Sequence, residues 1–80
     1  MTDDQLMQQL TDVFQNVFDD PDLVIGPETT AKDIPEWDSF NHINLIVAAE
    51  MHFSVKFASF EIEDLKNVGE FLELVRSKIS

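Results

Sequence analysis

All three prolines of this 80-residue chain (Pro21, Pro27 and Pro35) and one of its two glycines, Gly26, fall within residues 19–37. Proline lacks the N–H that a helix interior needs and clashes with the turn before it, so no helix runs through that segment. On both sides the apolar residues return at helical spacing. The chain is therefore restricted to a first helix, a long connection and a helical remainder.

The first helix is predicted over 3–18. Leu6, Leu10, Val13, Phe14, Val17 and Phe18 share one face, with Gln5, Gln8, Gln9, Asp12 and Gln15 opposite. Asp3 and Asp4 suit its positive end. So long a connection in so small a domain is functional or is held down by its own side chains. Leu23, Val24, Ile25, Ile34 and Trp37 are available for that.

A second helix is predicted over 39–52. Phe53, Val55 and Phe57 then alternate with polar residues, but one short strand has nothing to pair with. We read an extended connector whose aromatics enter the core. A short third helix follows over 60–66. The last helix is capped by Asn67, with Glu70 completing a capping pattern. Val68, Phe71, Leu72, Val75 and Ile79 form its stripe, and Arg76 and Lys78 suit its negative end. Gly69 is tolerated there at some cost. The expected fold is all-α: a small four-helix bundle with a long first loop and a short third helix, one domain over 1–80.

With no cysteine, disulfides and thiolate metal sites are excluded, which suits a reducing cytosol. No run approaches the roughly 18 apolar residues of a membrane span. "MTDDQLMQQL" has neither the basic nor the apolar region of a signal peptide, so a soluble cytoplasmic protein is expected. Sixteen acidic residues against five basic ones give a net charge of -11, which repels phosphate backbones and argues against nucleic acid. That excess predicts a fold tightened by salt or divalent cations. A hydrophobic share of 44%, with seven Phe, excludes an acidic disordered tail.

The stretch "IPEWDSFNHINLIVAAEMHF" concentrates the candidate chemistry. At about 100° per residue, Leu45, Ile46, Ala49 and Phe53 gather on one side of the second helix, with Ala48 at the edge. Phe40, Ile43, Val47 and Met51 gather on the other, interrupted by Asn44 and Glu50. Either this helix is covered on both sides, or the second stripe is a surface for partner proteins. Covering both sides is hard in a domain this small, which favours the partner surface.

Ser39 and Asp38 are both candidates for the helix cap. A hydrolytic pairing of Ser39 with His42 lacks an orienting residue, a strained glycine turn and an oxyanion hole. His42 and His52 are too far apart on one helix to share a metal. Asp19, Asp20 and Asp22 lack the ligand alternation, central glycine and closing glutamate of a calcium loop. These groups read as solvated or loosely packed, and Trp37 as a hydrophobic anchor. No self-contained enzyme emerges.

Asp38-Ser39-Phe40, followed by "INLIVAAE" and Phe53, resembles the acyl carrier protein family, whose marker is Asp-Ser-Leu at the start of the second helix. "DIPEWDS" closing the loop and Asn67-Val68 opening the last helix extend the likeness over essentially the whole chain. The resemblance implies that a phosphopantetheinyl transferase attaches 4'-phosphopantetheine from coenzyme A to Ser39, with Asp38 and Phe40 helping it dock. Acyl groups then ride on the arm's thiol between loading and transfer enzymes. A helix N-terminus supplies free N–H groups and a positive dipole for the arm's phosphodiester.

Two departures distinguish this chain. Phe40 replaces the usual Leu, and Asn41, Asn44 and Met51 stand where carriers of fatty acid synthesis usually place acids, leaving Asp38 and Glu50. A specialised monomeric carrier is expected, its partners reading Phe40, Ile43, Asn44, Val47, Glu50 and Met51. Its cargo lies in fatty acid, polyketide or related lipid synthesis. The alternatives are a hydroxyacyl or aminoacyl unit of a secondary-metabolite or surface-polysaccharide pathway, and a non-carrier helical interaction module in which Ser39 is only a cap. The glycines that precede the serine in peptide-synthetase carriers are absent, which weighs against an aminoacyl cargo.

Overall fold

A computed structural model describes residues 2–63 and 65–79. It contains helices α1 (Asp3–Phe18), α2 (Ser39–Phe53), α3 (Ser59–Glu63) and α4 (Val68–Ile79), with no strand among the described residues. Each helix begins where a side chain takes up orphan N–H groups. At α1 the cap is Thr2, which closes a reciprocal capping box with Gln5. Asp3 does more than suit the dipole, since its carboxylate accepts from Arg76 Nη1 at 3.1 and 3.2 Å and joins the start of α1 to the end of α4. Both α1 and α2 end on a left-handed residue other than glycine, Asp19 (φ 52°) and Ser54 (φ 56°).

The core lies where α1 packs against α2 and α4. Leu6, Leu10, Phe14, Leu45, Ala49, Val68, Phe71 and Val75 are buried in it. Phe14 is its centre, with ring contacts to Phe18, Trp37 and Phe71. Phe57, from the connector, stands edge-on to Phe71 with centroids 5.9 Å apart. Phenylalanine therefore fills this core. Phe40 and Phe60 are the exceptions and face outward.

The long connection is held by both apolar and polar contacts. Ile25, Ile34 and Trp37 are buried and Leu23 is partly so. Val24, expected among these anchors, is exposed instead, because an extended backbone sends neighbouring side chains to opposite sides. The polar attachment was not foreseen. The N–H groups of Val68 and Gly69 donate to the carbonyls of Thr29 and Pro27, each at 2.9 Å, so the loop backbone closes the N-terminus of α4. Asn67 caps that helix as expected, accepting from the Glu70 N–H. Glu70 accepts from Lys66 rather than Asn67, so the capping box is displaced by one residue.

The third helix begins and ends earlier than its apolar spacing indicated. It spans Ser59–Glu63 and leaves Leu65 and Lys66 outside it, while Asp64 falls outside the described residues. Glu61 explains the start, since its carboxylate accepts from the Ala58 N–H at 2.8 Å. Phe53 completes α2 instead of opening the connector.

Gly69 has a specific reason to be glycine. A Cβ there would lie 2.9 Å from the Pro27 carbonyl oxygen. Gly→Ala in a helix ordinarily stabilises by about 1 kcal/mol. Here Gly69→Ala is expected to destabilise by about 1 kcal/mol or more, because the docked loop has to shift. Urea denaturation of the variant would decide this, and a stabilised variant would mean that the loop does not sit on α4.

Glu61 ties α3 to α4 through Lys78, 2.9 Å away. The Ala58 N–H and then Lys78 hold its carboxyl below the usual glutamate range, against an opposing push from burial. A lowered folded-state value means that this contribution is present above the unfolded-state value and lost as pH falls through the folded one. Glu61→Gln should therefore flatten the acid limb of stability. An unchanged limb in pH-dependent melting would contradict the tie.

Candidate functional site

Asp38 is the N-cap of α2. Its Oδ1 accepts from the Asn41 N–H at 2.8 Å, and its carbonyl accepts from the His42 N–H at 2.8 Å. Ser39 is consequently the first residue inside the helix, and capping makes no demand on its hydroxyl. The side chain is exposed. The N–H groups of Ser39 and Phe40 stand at the first two helical positions, where no intrahelical acceptor exists. An exposed serine thus stands at the positive end of a 15-residue helix, where two N–H groups lack an intrahelical acceptor. That arrangement accommodates an anionic ester better than it serves a cap.

Asn41 locks this corner in a way the sequence did not announce. Besides donating its N–H to Asp38, it donates from Nδ2 to the Glu36 carbonyl at 2.7 Å. The backbone before Ser39 is thereby tied to the helix after it by the main chain and the side chain of one residue. Trp37 anchors the corner from below, buried and edge-on to Phe14 with centroids 5.2 Å apart.

His42, read from the sequence as loosely packed, is engaged at both ring nitrogens. Nδ1 accepts from Trp37 Nε1 at 3.1 Å, and Nε2 lies 3.4 Å from the Ile62 carbonyl. Its partners come from the loop and from α3, which linear spacing along α2 cannot bring into view. His52 Nε2 lies 3.1 Å from Gln9 Oε1, bridging α2 to α1 at the surface. Beside Ser39 an open cleft of about 560 Å³ runs between Trp37 and Ile43 on one side and Ile62, Leu65 and Lys66 on the other.

The two faces of α2 divide as its spacing implied. Leu45, Ile46 and Ala49 are buried, with Ala48 and Phe53 partly so. On the opposite face Phe40, Ile43, Val47 and Met51 remain 75%, 56%, 48% and 77% exposed, so the second stripe meets solvent rather than protein. Asn44 is exposed beside them and donates to Asn41 Oδ1 at 3.4 Å. Glu50 is different. One of its carboxylate oxygens accepts from the Phe57 N–H at 2.9 Å and fastens the connector to α2.

This architecture is similar to the solution structure of a holo acyl carrier protein from Geobacter metallireducens. The two are 47% identical, the TM-score is 0.87, and the match covers 92% of this chain and 85% of that one. An acyl carrier protein of Thermosynechococcus vestitus is 33% identical over 61 residues, 76% of this chain and 74% of that protein. The chain belongs to the acyl carrier protein family. Another family member, from Acidothermus cellulolyticus, is 25% identical over 75 residues, covering 94% of this chain and 89% of its own length. No protein-family model matches the chain. The four-helix order and the long first loop are accordingly those of a carrier. No helix among the described residues is long and apolar enough to cross a membrane.

The division of labour between Asp38 and Ser39 is measurable. Asp38→Ala is expected to cost about 1 kcal/mol of stability, the usual cost of losing a helix cap. Ser39→Ala should stay within about 0.5 kcal/mol, as surface substitutions do. Thermal melts giving the reverse order would return the cap to Ser39.

Proposed function

We propose that Ser39 is the residue to which a phosphopantetheinyl transferase joins 4'-phosphopantetheine from coenzyme A. The protein then carries acyl groups, as thioesters of the arm, between enzymes of the cytoplasm. The observation that supports this most is the release of the Ser39 hydroxyl from capping by Asp38, which leaves it exposed at a helix N-terminus. The residues fit the group. The arm would be esterified at the Ser39 oxygen, with the Ser39 and Phe40 N–H groups near its phosphate. The arm supplies the thiol that a chain without cysteine lacks. The bond-making on the cargo belongs to the partner enzymes.

Those partners would read the exposed face of α2. Phe40, Ile43, Val47 and Met51 form its apolar stripe, and a groove of about 380 Å³ continues past Val47 and Met51 to Val55 and Lys56. Asn44 and Glu50 lie alongside. The scarcity of acids on this face supports a specialised carrier, recognised by apolar contact more than by charge. Its cargo would belong to fatty acid, polyketide or related lipid synthesis.

Intact mass after incubation with coenzyme A and a broad-specificity transferase tests the central statement. One phosphopantetheine should be gained by the wild type and none by Ser39→Ala. A folded wild type that gains nothing would defeat the proposal if Phe40→Leu also gains nothing. For the partner face, Val47→Asp or Met51→Glu should weaken enzyme binding more than raised salt does. Binding that falls steeply with salt and ignores both substitutions would assign recognition to charge.

A further inference from the structure

We propose that His42 is a positioning residue that seats α3 beside Ser39, and that it does so only while its imidazole is neutral. An indole N–H can donate and cannot accept, so the Trp37 Nε1–H at 3.1 Å requires a bare Nδ1. The ring proton then lies on Nε2 and is donated to the Ile62 carbonyl at 3.4 Å. One neutral ring, in one tautomer, therefore joins α3 to Trp37. The two rings also stack, with centroids 6.1 Å apart and planes inclined by 24°.

The two ends of this link are unequally anchored. Trp37 is buried and packed on Phe14 at the centre of the core. The helix α3 has five residues, none of them buried, and its other side-chain ties are the Glu61–Lys78 pair and the partly buried Ile62. Residues of α3 and of the link after it form one wall of the cleft at Ser39. Where His42 holds α3 therefore decides how wide that cleft is. The consequence for the arm rests on Ser39 being its attachment point, whereas the latch itself does not.

A second proton would enter at Nδ1 and set an N–H against the Trp37 N–H. The Trp37 bond is then lost although Nε2 still carries its proton. The ring has to swing off Trp37, which takes Nε2 away from the Ile62 carbonyl and frees α3 on that side. Among the described residues, the charged groups sharing the cleft with His42 are Asp38 from the loop, Glu63 from α3 and Lys66 from the link to α4. Asp38 is already engaged by the Asn41 N–H. Glu61, on the other tie, titrates below the usual glutamate range, so that tie persists while histidine changes charge. Glutamine in place of His42 offers an oxygen acceptor and an N–H donor and takes up no proton. It should hold the latch at every pH, and alanine at none.

Trp37 is the single tryptophan, so its emission reports on the latch directly. The apo wild-type chain, His42→Gln and His42→Ala are titrated from about pH 8 to about pH 5, the range in which histidine changes charge. Amide exchange of residues 59–63 is followed in parallel and corrected for the intrinsic effect of pH. In the wild type, emission should change in step with the His42 ring signals, and α3 exchange should rise by about fivefold or more on the acid side. His42→Gln should show neither transition and keep α3 protected. His42→Ala should exchange fast at both ends while its far-ultraviolet dichroism stays helical. The proposal is overturned if α3 of His42→Gln exchanges as fast as that of His42→Ala, or if the wild-type emission transition survives in His42→Gln. These readings need no arm, so a failure to gain mass at Ser39 leaves them as they stand.

Discussion

The hydrogen bond from the Asn41 N–H to the Asp38 carboxylate is the constraint on which the functional end of this protein depends. A helix has to satisfy its first N–H groups from outside itself, and either neighbouring oxygen, on Asp38 or Ser39, could have served. With Asp38 in that role, the serine moves one position inward. Its hydroxyl then points to solvent, beside donors that the helix cannot use. Asn41 also holds the Glu36 carbonyl, so the corner is pinned by hydrogen bonds on both the main chain and a side chain.

A related economy governs the long first loop. Twenty residues without regular structure would leave many backbone groups unpaired, and α4 would begin with orphan donors of its own. Bringing the carbonyls of Pro27 and Thr29 onto the Gly69 and Val68 N–H groups resolves both deficits at once. The close approach this requires excludes a Cβ at Gly69. The loop is thus part of the scaffold, and it delivers Trp37 to the core immediately before the site.

Much of this was legible beforehand. The spans of α1 and α2 followed from period and proline placement, and the two faces of α2 separated by angle alone. Asn67 as a cap was also readable, because capping is local. The departures have different causes. Val24 turns outward because the backbone is extended there, whereas the engagement of His42 depends on Ile62, distant in the chain. A short helix with no buried residue has too weak a period to show its limits, and a histidine's partners cannot be inferred from neighbours along its own helix.

By itself, the sequence determined that this chain is helical around one irregular loop, that α2 has two apolar faces, and that Asp38-Ser39 stands at its start. Those properties follow from proline stereochemistry and side-chain period, which act within a few residues. Only the tertiary structure decided which of the two residues caps the helix, which face of α2 stays open, and what His42 holds. The cap is settled by which oxygen reaches the Asn41 N–H of α2 itself. The open face of α2 and the contacts of His42 are settled only when packing brings α1, α3 and the loop within hydrogen-bonding or van der Waals reach.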